Sequence, residues 1–194
     1  MKLRKRESIL NTAKHMFSRY GIRKTNLSDI ARMAKVAKAT IYNYFGSKEQ
    51  VYLEVLNREA NEFVDKLMQT LSQIKSPLEK LRFFYRNRLI KLRDNQNLLN
   101  LYEGNEVNLS QANEIRESIF KRELSILQGI LEEGVKEGIF RIDNIFQAAR
   151  MIGYTLRGWE SSLLQGKKQE DLEVEFDSFF DILCRGILIE KKEG

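Results

Sequence analysis

The chain has 194 residues, 42% of them hydrophobic and 31% charged, with a formal net charge of +6. That is enough apolar material for one or two cores, and a lone cysteine, Cys184, excludes an internal disulfide framework. No apolar run approaches the roughly 20 residues a bilayer-spanning helix needs, and the single proline with few alternating Val, Ile and Thr runs favours helix over sheet.

In chain order, the first helix is predicted from Lys5 to Tyr20, where Ile9, Ala13, Phe17 and Tyr20 share a face. Gly21 ends it, as glycine does at a C-cap. Thr25 or Asn26 caps a second helix carrying Leu27, Ile30, Ala31 and Ala34. A short break at Lys35 and Val36 leads to a third helix, Lys38 to Phe45. Three short helices with a tight turn between the last two have the layout of a helix-turn-helix unit. On the third, Ile41 and Phe45 are four apart and share a buried face. Ala39 and Asn43 point away from it, and Thr40 and Tyr42 lie on its flanks.

Ser47 and Gln50 form a capping box that starts a long helix to about Ser72, with Val51, Val55, Phe63, Leu67 and Leu71 on its stripe. Ser76-Pro77-Leu78-Glu79 starts the next, to about Asp94. A short helix follows from Leu98 to Glu103. A long one runs from Ser110 to about Glu137, closed by Gly134 and Gly138. Asp143 is expected to cap a helix bearing Ile145, Ala149, Ile152, Leu156, Trp159 and Leu163. The last runs from about Asp171 to Glu190 with Phe176, Phe179, Phe180, Leu183 and Ile187. Cys184 sits within it and reads as a small buried hydrophobe. The expectation is an all-α chain of about nine helices.

The charge is unevenly placed. Residues 1–50 hold 12 Lys/Arg against 3 Asp/Glu, a balance of +9, while the remaining 21 and 24 give −3. A basic quarter on a mildly acidic body suits a local polyanion-binding module, although a merely solvated basic face would look the same. Tyr42 and Tyr44 cannot both join the core beside Phe45, and their hydroxyls seek polar partners; phosphate oxygens would serve. The first amides of the helix after Ser47, with Lys48, make a phosphate clamp plausible.

The stretch TNLSDIARMAKVAKATIYNYFGSKEQV, Thr25 to Val51, resembles the TetR family of bacterial transcriptional regulators. The family pattern is met at Thr25, Ile30-Ala31, Ala34, Val36, Ile41-Tyr42-Asn43-Tyr44-Phe45 and Lys48, and the likeness covers residues 7 to 55. Two positions depart from it: Lys35 stands where the family has Gly, and Ala37 where it has a Ser cap. The resemblance implies a DNA-binding domain over residues 1–46 and a ligand-binding and dimerisation domain over 47–194. It implies a homodimer on double-stranded DNA at a palindromic operator, a repressor released by a small, largely apolar inducer. Lys38, Tyr42, Tyr44 and Lys48 would hold phosphates, and Thr25 would cap the second helix against the backbone. Ala39, Thr40 and Asn43 would meet base edges, an Asn amide pairing with adenine and a methyl with thymine. Arg4-Lys5-Arg6 would add backbone or minor-groove contacts or fray as a basic tail.

In the larger half, Phe83, Phe84, Tyr102, Phe120, Tyr154 and Trp159 are candidate lining for a mostly apolar pocket, or plain core. Arg150 and Arg157, seven apart, either neutralise an anionic ligand or pair with Glu residues. The last two helices carry stripes fit for a four-helix interface. Other functional classes fit less well. The only histidine, His15, has no Cys nearby, and HExxH, CxxC and P-loop motifs are absent, so no enzymatic activity, metal or cofactor is expected. A DNA-packaging protein without sequence preference would carry a similar basic module. The basic start, MKLRKRESIL, leads into polar helix rather than a signal segment, so a cytoplasmic, membrane-free protein is expected.

Overall fold

The computed structural model describes residues 2–103, 110–164 and 169–187. Among the described residues there are nine helices and no β-strand: α1 (Lys2–Lys24), α2 (Leu27–Met33), α3 (Lys38–Phe45), α4 (Lys48–Leu71), α5 (Pro77–Asp94), α6 (Gln96–Glu103), α7 (Ser110–Lys136), α8 (Ile145–Leu164) and α9 (Gln169–Ile187). None is long and apolar enough to cross a membrane. The chain divides into two compact units, Met1–Phe63 with Leu92–Ser118, and Val64–Lys91 with Ile119–Gly194.

In the first unit α1 packs on α2 and α6, and α2 packs on α3. The apolar faces read from the sequence are the buried ones: Ile9, Ala13 and Phe17 on α1, Ile30 and Ala31 on α2, Ile41 and Phe45 on α3, Val51 and Val55 on α4. Tyr20 is the exception on α1 and lies exposed. Phe17 meets Tyr52 of α4 edge to face at 5.2 Å. Gly21 breaks helical geometry as expected, with φ 74° and ψ 162°, and helix resumes beyond it as far as Lys24. Only glycine reaches that backbone state without strain.

Two ends of the turn between α2 and α3 show what the departures from the family pattern do. Lys35 takes φ 56°, a left-handed conformation costing a side-chain-bearing residue about 1 kcal/mol. The Val36 amide then donates to the Ala31 carbonyl at 3.0 Å and closes α2. Ala37 stands at the N-cap of α3 with no side-chain bond to offer.

The second unit is built around Leu81, Phe84 and Tyr85 of α5, Leu127, Ile130 and Leu131 of α7, Ile152 and Leu156 of α8, and Phe176 and Phe180 of α9. Tyr85 is at its centre, 6.0 Å from Phe176 and 5.7 Å from Phe179 between ring centroids. Its hydroxyl donates to the Ile152 carbonyl at 3.3 Å, and burial pushes the phenol far above its ordinary range. Lys80 and Glu133 join α5 to α7 at 2.6 Å. Cys184 is buried, which raises its thiol pKa.

Two expectations are corrected here. The cap of α8 is Asn144, not Asp143: the Asn144 Oδ1 accepts from the Gln147 amide at 2.9 Å, the bond that satisfies an open helix end. Gly134 does not end α7 but lies inside it, buried, with the Phe140 ring where a side chain would be. A Cβ on Gly134 would fall 2.0 Å from Phe140 Cδ2. Gly138, at φ 68°, turns the chain so that Phe140 folds back, and the Ile139 amide donates to the Gly134 carbonyl at 2.8 Å.

Gly134→Ala is therefore expected to destabilise the protein by about 1–3 kcal/mol through overpacking. Urea unfolding checks this, and Phe140→Leu in the same chain should recover part of the loss by removing the ring.

Candidate nucleic-acid interface and apolar cleft

α3 is eight residues long, and its two anchors, Ile41 and Phe45, are buried. With those fixed, helical geometry turns Lys38, Ala39, Tyr42 and Asn43 to solvent, while Thr40 and Tyr44 are half-buried. Tyr42 is 48% exposed, and the Lys38 ammonium sits 5.8 Å from its ring centroid. Tyr44 leans on Phe45, 6.1 Å between centroids. The Gly46 amide donates to the Tyr42 carbonyl at 2.8 Å, and a left-handed φ of 78° stops the helix there. The outcome is a short rod with one greasy side down and one side of mixed cationic, aromatic and amide character facing out.

Thr25 is placed differently from expectation. Its side chain is only 3% exposed, and its hydroxyl donates to the Gly21 carbonyl at 2.8 Å. Asn26, the other candidate cap read from the sequence, caps α2, accepting from the Asp29 amide at 2.9 Å. The reason is that α1 ends here: the Gly21 carbonyl accepts from the Thr25 amide at 3.3 Å and from its hydroxyl as well, while the last carbonyls of a helix need partners from outside it.

Lys48 answers the same need. Its ammonium donates to the carbonyls of Ile22 at 2.8 Å and Thr25 at 3.1 Å. Two of its three protons are thus held by the protein, at the carbonyl end of a helix where a cation is stabilised. Ser47 caps α4 as expected, its hydroxyl accepting from the Gln50 amide at 3.1 Å. Arg6 is no free arm: it pairs with Glu54 at 2.7 Å and lies over the Phe45 ring at 5.6 Å. Arg58 pairs with Glu7 at 2.5 Å. These bonds tie α1 and α4 together beneath α3. His15 is exposed.

Sequence reasoning missed a buried polar cluster in this unit. Glu59 of α4 is 3% exposed and Asn97 of α6 is 0% exposed. Asn97 Nδ2 donates to both the Glu59 carboxylate and the Lys14 carbonyl at 3.2 Å. The Lys14 ammonium lies 3.4 Å from Glu59. Burial pushes the Glu59 carboxyl above its ordinary value, against the pull of Lys14 and Asn97. Burial also acts on the more open Glu62, but bonds from Lys14 and Arg58 prevail and hold it below. An acid amid apolar helical faces has no sequence signature unless its partners, 45 and 38 positions away, are known.

In the second unit, a small cleft of about 10 Å³, room for roughly one water, is lined by Phe84, Phe120, Leu124, Leu127 and Leu156, with Gly153 and Glu123. Phe84 and Phe120 are thus where a pocket was expected. Phe83 is half-buried against the adjoining core. Tyr154 is not in the lining but stacks on Phe120, 5.8 Å between centroids. Tyr102 lies on α6 in the first unit, and the Trp159 side chain lies outside the described residues. Of the two arginines, Arg150 donates to the Tyr154 hydroxyl at 2.8 Å. Arg157 lies 3.7 Å over the Phe120 ring. Among the described residues no group of three or more His, Cys, Asp or Glu could hold a metal ion.

A family model described as bacterial regulatory proteins, tetR family, matches residues 9–55, and one described as YsiA-like protein, C-terminal region, matches residues 56–185. The chain belongs to the TetR family. It is a DNA-binding transcriptional regulator, and its family is one of regulatory proteins rather than enzymes. The TetR relatives include a fatty acid metabolism regulator protein of Bacillus subtilis (strain 168), 27% identical over 92% of this chain and 93% of the relative. The repressor KstR2 of Mycolicibacterium smegmatis is 30% identical over 72% of this chain and 69% of its own. A crystal structure of the regulator FadR from Bacillus subtilis in complex with stearoyl-CoA matches with TM-score 0.71 and 26% identity, over 93% of this chain and 98% of that one.

Two outcomes follow from this geometry. Lys48→Met should lower thermal stability by about 2 kcal/mol, since charge-assisted bonds to two carbonyls are lost; calorimetry or thermal melting measures it. For Glu59, the folded state holds its proton more tightly than the unfolded chain, so its contribution is lost as pH rises through the raised value. Glu59→Gln keeps an acceptor for Asn97 without the charge. Its stability relative to wild type should therefore climb from acid to neutral pH, read from urea unfolding across that range.

Proposed function

We propose that the chain binds a palindromic operator on double-stranded DNA as a homodimer, represses transcription there, and is released by a small, largely apolar inducer. The observation that carries the DNA reading is the outward set on α3, held over a buried Ile41 and Phe45. In this reading residues 1–46 form the DNA-binding part and 47–194 the ligand-binding and dimerising part, and the protein works in the cytoplasm. Ala39, Thr40 and Asn43 meet base edges, and Lys38, Tyr42 and Tyr44 hold phosphates; the first set selects sequence and the second fixes register. Thr25 and Lys48 act chiefly by holding α1, α2 and α4 in place, with one Lys48 proton left for a phosphate.

Dimerisation is supported by large apolar side chains left exposed on the last two helices: Phe146, Met151 and Tyr154 of α8, and Val174 and Ile182 of α9. Pairing two helices from each copy would cover them in a four-helix interface. The inducer reading is supported by the relative bound to stearoyl-CoA; the small apolar cleft beside Phe84 and Phe120 marks where a chain would enter once the helices part. We take the ligand class to be an acyl chain on an anionic carrier. α4 runs from the reading part into the second unit and would carry the signal. The ligand would favour a dimer whose reading heads no longer match consecutive major grooves, about 34 Å apart.

The test is selection of a binding site from random DNA, then titration of that site and a scrambled one at two salt concentrations. A preference of roughly 10³ or more is expected. Asn43→Ala should lose about 1–3 kcal/mol of discrimination at particular bases. Lys38→Ala should weaken all sequences alike and flatten the salt dependence. Equal affinity for both DNAs in the wild type would overturn the reading.

A further inference from the structure

We infer that in the homodimer proposed above, on which this rests, α8 of each copy lies against α9 of the other, with Arg150 of one copy paired to Asp177 and Asp181 of the second. The two helices that leave apolar side chains exposed carry opposite charge. α8 bears Arg150 and Arg157 against one acid, Glu160, whereas α9 bears six acids against one base, Arg185. The charges sit beside the exposed apolar residues. Arg150 is one turn from both Phe146 and Tyr154 on α8, and Asp177 and Asp181 are within a turn of Val174 and Ile182 on α9. Arg150, Asp177 and Asp181 are themselves exposed.

Arg150 is held ready for a counter-charge. Its guanidinium carbon is 5.6 Å from the Phe146 and Tyr154 ring centroids alike, and it donates to the Tyr154 hydroxyl at 2.8 Å. A guanidinium carries several N–H donors in a rigid fork, so others remain for a carboxylate, and little freedom is lost when one arrives. Among the described residues neither Arg150 nor Asp177 has an oppositely charged partner. Asp181 bonds Arg185 at 2.8 Å one turn along the same helix, an exposed pair weak enough to be exchanged.

Symmetry then selects the pairing. In a two-fold dimer every contact between unlike positions occurs twice, and a helix laid on its own copy sets like against like. α8 on α8 would bring Arg150 toward a second Arg150, and α9 on α9 would face two acidic helices. Covering Phe146 and Tyr154 also takes Arg150 out of water, and a covered charge without a counter-charge is costly. The crossed arrangement buries the apolar residues and matches the charges at once, while like-charge contacts work against the other two.

The experiment measures self-association of the full-length chain by sedimentation equilibrium, with thermal melting to verify folding. Wild type, Arg150→Glu, the double variant Asp177→Lys with Asp181→Lys, and an equimolar mixture of the two variants are compared. Each variant alone sets like charges together and is expected to dimerise about 10-fold or more weakly than wild type. In the mixture every crossed contact again joins opposite charges, so heterodimers should form with close to wild-type affinity. A dimeric wild type whose variants associate as tightly as it does would overturn the inference and leave the dimer intact, and so would a mixture that associates no better than either variant alone. A wild type that stays monomeric would overturn the dimer itself and the inference with it. If a charge-reversed chain unfolds, the neutral variants Arg150→Gln and Asp177→Asn with Asp181→Asn decide: a double-mutant cycle showing no coupling in dimerisation overturns the inference.

Discussion

The reading head depends on how the kink at Gly21 is resolved. A left-handed glycine near the end of α1 lets the chain turn toward α2, and the last carbonyls of the helix then take partners from outside it. Lys48 supplies protons to two of the positions around the turn, and Thr25 supplies one to Gly21 itself. Because Lys48 is the first residue of α4, the same bonds fix the start of α4 against the end of α1. Arg6 with Glu54 and Arg58 with Glu7 repeat the tie further along. α3, only eight residues and without a side-chain N-cap, would be marginal alone. It holds its shape because Ile41 and Phe45 are buried against helices that are themselves tied by these bonds.

That dependence explains what the sequence disclosed and what it hid. Period and punctuation gave α3 residue for residue, the break at Gly21 though not the helix that resumes beyond it, and the buried pair Ile41 and Phe45, because each is a local property of a few neighbouring residues. The capping of α4 by Ser47 and of α5 by Ser76 was legible for the same reason. Lys48 and Thr25 were not, because their partners are carbonyls exposed by a bend whose shape the sequence does not display. Asn144 took the cap expected of Asp143, a shift of one residue between two good capping types. Gly134 was mistaken for punctuation because a glycine near a helix end commonly is; only Phe140 folding back reveals it as a packing site.

The second unit was legible as core and less so as cleft. Phe84 and Phe120 line it, but Tyr154 and Arg157 lie against Phe120 and Arg150 against Tyr154, none of them in the lining. Aromatic residues on amphipathic helices look alike whether they fill a core or bound a space. The difference lies in what is missing opposite them, and here that is the side chain of Gly153. Glu123 escaped notice because α7 carries many acids, and its position among them gives no sign that it alone is buried.

Gly153 gives the cleft a history as well as a shape. A methyl there would approach Leu124 Cδ2 to 2.7 Å and crowd the Phe120 ring, so the space exists only while that position stays bare. Any glycine codon becomes an alanine codon by one base change. A lineage carrying this protein therefore stands a single nucleotide from a filled cleft, a change confined to the second unit and remote in sequence from α3.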